Sequence, residues 1–242
     1  MKEYEKENVI VQASDEVSYD TQIKSETKNQ NRATYNVRQM CEIIDDVIGR
    51  TGRSNLSILE IGFSTGEYLR ELSKIYPDAK FIGLEVRKKP VERMVALGYD
   101  CRLVETELFD EFFKAGEQFD IIYGFSVLHH ISDPYKSLES VMRILKAGGV
   151  VTFIREAHRF DLLSFLYYTY KWSWQYEKYT LKMSRKRFKK LLGKYASDFY
   201  VKYDNFGLML CFKRLNAIYC KLKMQKVPLW NGMTIYARKM KD

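Results

Sequence analysis

ILEIGFSTGEYLREL, residues 58–72, reads as a strand, a tight loop and a helix. The apolar run from Leu56 to Ile61 stops at Gly62. The turn Gly62-Phe63-Ser64-Thr65-Gly66 then enters an amphipathic stretch with Leu69 and Leu72 three apart. Glycine lets such a loop turn sharply and lets a ligand approach the backbone. At the carboxyl end of a strand in an open α/β sheet, that loop borders a ligand crevice. A dinucleotide fingerprint, G-x-G-x-x-G, does not fit, because Ser64 and Glu67 stand where its later glycines belong. A phosphate loop does not fit either, because Glu67 replaces its second glycine and no lysine follows.

A third pattern, E-x-G-x-G-x-G, matches at Glu60, Gly62 and Gly66, with Ser64 replacing the middle glycine. Downstream, Phe81 to Val86 is a second apolar run that ends in the acid Glu85, about twenty residues after the loop. An acid there accepts hydrogen bonds from both hydroxyls of a ribose. Next comes FDIIYGFSVLHHI, Phe119 to Ile131, with Asp133-Pro134 behind it. A helical stretch from Ser137 leads to a turn, Leu145-Lys146-Ala147-Gly148-Gly149, and a strand from Val150 to Ile154. In this order and spacing the segments resemble the class I S-adenosylmethionine-dependent methyltransferases, small-molecule branch. The resemblance covers roughly residues 35–156, with Ser64 and Ala147 as its departures. Ser64 is small enough for close backbone approach.

The resemblance implies a doubly wound α/β fold, a seven-stranded and mostly parallel Rossmann-like sheet in the order 3-2-1-4-5-7-6, with strand 7 antiparallel. Strands are expected at 56–61, 80–85, 101–105, 119–125 and 149–155, and the pair 199–203 and 233–239 completes the sheet. Helices are expected near 33–49, 66–76, 88–97, 107–114, 135–145 and 184–195, the first ended by Gly49 or Gly52 and the last capped by Ser184. The domain expectation is a mobile segment 1–32, a cofactor-binding core 33–156, a lid insertion with a basic helix 157–198, and C-terminal strands 199–242. Tyr19 and Ile23 are possible anchors of the first segment, and Tyr19 or Tyr35 could reach the cofactor.

Composition narrows the classes. The 242 residues suffice for a large core, and no run of eighteen apolar residues spans a membrane. A charged N-terminus without an apolar signal region and four scattered cysteines point to a cytoplasmic, reduced setting without a metal site. Residues 1–154 carry 20 basic and 25 acidic side chains, a net −5. Residues 155–242 carry 20 and 6, a net +14. The basic end suits an anionic partner: a phosphorylated, sugar or lipid-linked acceptor, nucleic acid, or a peripheral membrane surface. Residues 157–183 crowd aromatics, among them Phe160, Tyr167, Trp172 and Tyr179, as a lid or an acceptor surface would. Residues 184–195 put Phe188, Leu191, Leu192 and Tyr195 on one helical face and six basic residues on the other.

Site expectations follow from the resemblance. Backbone groups of Gly62, Phe63, Ser64 and Gly66 would line the methionine end of S-adenosylmethionine, Glu60 would orient the loop and reach the amino group, directly or through water, and Glu85 would hold the ribose. Glu105 with Thr106, or Glu107 if the strand register differs, would meet the adenine. Phe125 and Ser126 would lie beside the sulfonium. Methyl transfer from a sulfonium is an in-line displacement that leaves the protein chiefly a positioning task. His129, His130 and His158 are the candidates for a base, and Arg155, Tyr167 and Trp172 for acceptor contacts. No D/N-P-P-[YF] tetrapeptide follows the fourth strand, which argues against methylating an exocyclic amine of a base or glutamine; no cysteine stands there, which argues against pyrimidine C5 chemistry. The leading expectation is methylation of a small-molecule, glycan or lipid-linked acceptor at oxygen. The alternatives are an RNA methyltransferase and a non-catalytic cofactor-binding module.

Overall fold

The computed structural model describes residues 30–114, 116–158, 178–204 and 232–241. Its seven strands are β1 (Ser57–Ile61), β2 (Lys80–Glu85), β3 (Asp100–Leu103), β4 (Phe119–Phe125), β5 (Leu145–Glu156), β6 (Ala196–Asp204) and β7 (Gly232–Lys239). They form one sheet in the order β3-β2-β1-β4-β5-β7-β6, as expected. β1 pairs parallel with β2, with Leu59 opposite Ile82, and β2 pairs parallel with β3. β7 runs antiparallel to both β5 and β6. The helices are α1 (Gln30–Thr51), α2 (Glu67–Ile75), α3 (Lys88–Ala96), α4 (Phe109–Phe112), α5 (Pro134–Ile144) and α6 (Arg185–Leu192). The chain divides into two compact units. One runs to Thr106 and includes Glu111–Ile122; the other holds Glu107–Asp110 and the chain from Tyr123 onward.

The continuous apolar runs of the sequence have a simple origin. A strand covered on both faces buries every side chain, so it shows no alternation. All seven residues of β4 are buried, as are the last four of β1 and the last five of β2. The one acid among the first residues of β4 has its own task. Asp120 accepts from the Ser57 backbone N–H at 2.8 Å and from Arg53 Nη2 at 2.7 Å, which ties the start of β4 to the entry of β1. Asp133 caps α5, its side chain accepting from the backbone of Tyr135 and Lys136, and Pro134 supplies the fixed φ that suits the first helical residue.

Several boundaries differ from expectation. α1 runs on to Thr51, and Gly52, at φ 66°, turns the chain out of it. The expected turn at Leu145–Gly149 is the first part of β5. β3 ends at Leu103, so Glu105 lies beyond it, and the helix expected at 107–114 is one turn, Phe109–Phe112. Ser184 sits at the N-cap of α6, but its side chain makes no capping bond. Its backbone N–H donates instead to the Tyr135 hydroxyl at 3.0 Å. The apolar face of α6 is buried at Phe188, Leu191 and Leu192 as expected, whereas Tyr195 is half-buried. Tyr19, Ile23, Phe160, Tyr167 and Trp172 lie outside the described residues, as do most of the expected N-terminal segment and of the aromatic stretch. No described helix is long and apolar enough to cross a membrane.

Candidate functional site

In the first unit the loop after β1 is built on left-handed backbone. Gly62 and Gly66 have φ of 71° and 77°, and Ser64, between them, has φ of 53°. Side chains rarely adopt this region, so glycine is the natural residue at all three positions. Ser64 keeps the conformation because its neighbours hold it. Its backbone N–H donates to Glu85 Oε2 at 2.9 Å, and its hydroxyl meets Arg87 Nη2 at 3.1 Å. The loop is fixed to the second strand by the Gly62 N–H, which donates to the Leu84 carbonyl at 2.8 Å. Gly83 makes room for the loop from below. A Cβ there would meet Phe63 Cδ1 at 2.7 Å, Leu69 Cδ1 at 2.9 Å and Cys101 Sγ at 3.0 Å.

Glu85 ends β2 and is buried. Its Oε1 accepts from the backbone of Val86 and Arg87 and from Arg87 Nε, and its Oε2 accepts from Ser64 N–H and Arg87 Nη2. Glu60 is buried within β1, and Phe63 is buried in the loop that follows. Glu105 is exposed and Thr106 half-exposed. In the second unit Glu107, the alternative to Glu105, accepts from the backbone N–H of Ser132 at 2.8 Å and from its hydroxyl, so it is engaged in bracing that loop. On α1, Asn36 is fully buried and its Nδ2 donates to the Tyr68 hydroxyl at 2.7 Å. Two buried carboxamide oxygens there, Asn36 Oδ1 and Gln39 Oε1, have no hydrogen-bond partner among the described residues.

The second unit gathers the other candidates around the ends of β4 and β5. Ser126, at φ 53°, donates its N–H to the Ile154 carbonyl at 2.9 Å and its hydroxyl to the Arg155 carbonyl at 3.0 Å. Arg155 is itself left-handed at φ 64°, at a register shift in β5 between Phe153 and Glu156. Such a bulge re-aims the residues that follow it. Arg155 lies over the Phe125 ring at 5.3 Å, and Glu156 is completely buried. Glu156 Oε1 accepts from Val127 N–H at 2.9 Å, and Oε2 accepts from His129 N–H at 3.1 Å. The same Oε2 lies 2.7 Å from His129 Nδ1. Two acceptors do not approach so closely without a proton between them, so Nδ1 carries a hydrogen. The 3.4 Å approach of Ala157 N–H to Nδ1 is then only a packing contact.

The three histidines have separate settings. His129 is buried and held by Glu156, and His130 is exposed with its ring 4.1 Å from that of His129. His158 is buried with its ring 4.6 Å from that of Tyr203. Glu156, Arg87 and Asn36 are not among the site residues expected from the sequence. An acid closing an apolar strand was a usable signal for Glu156, as it was for Glu85. Arg87 and Asn36 act through partners distant in sequence, and nothing local marks them.

The donor set suits an adenosyl cofactor: left-handed loop backbone beside a buried, acceptor-only carboxylate at the end of β2. Residues 59–151 match the family model described as a methyltransferase domain. Together with the sheet order, this match supports a class I S-adenosylmethionine-dependent methyltransferase. Among curated proteins it is similar to the ubiquinone biosynthesis O-methyltransferase of Ruegeria sp. (strain TM1040), 31% identical over 103 residues that make up 40% of each chain. It is also similar to the enzyme of that name from Ruegeria pomeroyi, 31% identical over 130 residues and 50% of each chain. The matches thus span half or less of the length of these relatives. Among solved structures it resembles the plantazolicin methyltransferase BpumL in complex with a triazolic desmethylPZN analog and S-adenosylhomocysteine. That likeness has a TM-score of 0.65 at 18% identity and covers 99% of this chain and 98% of the other; at such identity it speaks for the fold alone.

Proposed function

We propose that this protein methylates an oxygen of a small-molecule, glycan or lipid-linked acceptor that carries negative charge. S-adenosylmethionine, when bound, supplies a methyl group already activated on a sulfonium. Gly62, Phe63, Ser64 and Gly66 would hold its methionine end with Glu60 behind the loop, Glu85 its ribose, Glu105 and Thr106 its adenine, and Phe125 and Ser126 the neighbourhood of the sulfonium. The observation that carries the choice of oxygen is the buried pair His129–Glu156, at 2.7 Å. A hydroxyl must lose its proton as it takes up a methyl group, whereas a neutral amine can lose its proton afterwards. His129 takes that proton on Nε2, while Glu156 keeps Nδ1 protonated and stabilises the resulting imidazolium. The names of the curated relatives agree with methylation at oxygen. The anionic character of the acceptor is supported by the exposed basic face of α6, where Arg185, Lys186, Arg187, Lys189 and Lys190 occur without an acid. Arg155 would meet the acceptor.

The test is turnover with methyl-labelled S-adenosylmethionine against a panel of phenols, catechols and their phosphorylated or prenylated forms. The expected product is a labelled methyl ether. Labelled methylamine products, or label transferred to RNA added in place of the panel, would contradict the reading.

A further inference from the structure

Asn36 and Gln39 stand three residues apart on α1, which puts them on one face of the helix. Asn36 is fully buried, and its orientation is set by the bond from Nδ2 to the Tyr68 hydroxyl at 2.7 Å. Tyr68 lies two residues past Gly66, in the helix that opens from the glycine loop. Two carboxamide oxygens, Asn36 Oδ1 and Gln39 Oε1, are each buried without a hydrogen-bond donor among the described residues. Buried polar atoms in native proteins are nearly always paired, so two orphaned oxygens on one helix face call for a donor beyond the described residues. We propose that these two oxygens receive the α-ammonium group of S-adenosylmethionine. An ammonium has three N–H donors and no acceptor, and its charge strengthens bonds to neutral carbonyls. Asn36 and Gln39 thereby position the amino-acid end of the cofactor, while the loop and Glu85 hold the rest. This inference rests on the methyltransferase reading above.

The experiment is calorimetric titration of the full chain with two ligands. S-adenosylhomocysteine carries the amino-acid end; 5′-methylthioadenosine has the same nucleoside and a thioether but lacks it. Asn36→Leu is expected to weaken S-adenosylhomocysteine at least tenfold and to leave 5′-methylthioadenosine within about twofold. Asn36→Asp is expected to retain or strengthen S-adenosylhomocysteine binding, because a carboxylate also accepts from an ammonium. Gln39→Leu is expected to repeat the pattern more weakly, and it serves if Asn36→Leu does not fold. Equal losses for both ligands, or none for either, would overturn the inference and leave the carboxamides a packing or water-binding role. A wild-type protein that is folded and binds neither ligand would overturn the cofactor reading itself. That outcome is distinct from wild-type binding that the substitutions do not touch.

Discussion

Arg87 grips Glu85 by both carboxylate oxygens, with Nε 3.2 Å from Oε1 and Nη2 3.3 Å from Oε2. Together with three backbone N–H groups this gives Glu85 five donors, whereas a carboxylate offers about four acceptor positions. A ribose that takes two of those positions must displace the guanidinium. Arg87→Met therefore has effects of opposite sign. Stability should fall by roughly 1–3 kcal/mol, because a buried carboxylate loses its counter-ion. Affinity for S-adenosylhomocysteine should rise, by roughly 3- to 10-fold, because nothing has to be displaced. Urea unfolding and calorimetry of the same variant measure both, and a loss of affinity would show that Arg87 supports the bound state instead.

Ser64 separates conformation from contact. Its φ of 53° favours glycine, yet its hydroxyl meets Arg87. Ser64→Gly relieves about 1 kcal/mol of backbone strain and gives up a hydrogen bond of about the same worth. Its stability should therefore stay within about 1 kcal/mol of the parent, with cofactor binding kept. Ser64→Val puts a β-branched side chain on left-handed backbone and should lose about 2 kcal/mol or more. Equal stability of the two variants would remove the conformational account of this position.

Glu156 should matter to turnover more than to cofactor affinity. In Glu156→Gln the amide oxygen can accept from only one of the two loop N–H groups, and the neutral amide can no longer stabilise a charged imidazole. The expected outcome is kcat lowered by roughly 10- to 100-fold with the KM for S-adenosylmethionine nearly unchanged, and His129→Gln should lose roughly 100-fold or more. A kcat that survives both substitutions would exclude the pair as the proton acceptor.

Cys101 sets a pH dependence. Burial pushes its thiol up to about 12 from the usual 9, with the negative charges of Glu60 and Asp100 adding and a hydrogen bond to the Gly83 backbone opposing. The unfolded chain thus releases this proton first as pH rises. The contribution to stability is complete below about pH 9 and is lost progressively as pH climbs toward 12, by at most about 1.4 kcal/mol per pH unit. Denaturant unfolding between pH 8 and 11 should show a shallower decline for Cys101→Ala than for the parent, and the native thiol should resist alkylation at pH 8. Parallel declines would contradict the shift.

Much of this fold was legible because its signals are local. Glycines mark the loop after β1, unbroken apolar runs mark strands covered on both faces, and an acid closes β2 at Glu85. The strand order came from resemblance, since no local signal states which strands are neighbours. Ser64 was legible as a small residue but not as a left-handed one, because conformation at φ 53° depends on the Glu85 and Arg87 contacts that hold it. Glu156 reaches Val127 and His129 across almost thirty residues, from a bulge no sequence pattern announces. Ser184 fits the capping rule by type and position, yet its side chain makes no capping bond.

Glu85 and the loop it holds are proposed to bind an adenosyl cofactor. The most direct test is titration of the purified chain and of Glu85→Gln with S-adenosylhomocysteine. Saturable binding on the order of micromolar strength is expected for the parent, and a loss of roughly tenfold or more, about 1.4 kcal/mol, in the variant. A folded parent that does not bind, or a variant that binds as tightly as the parent, would contradict this proposal.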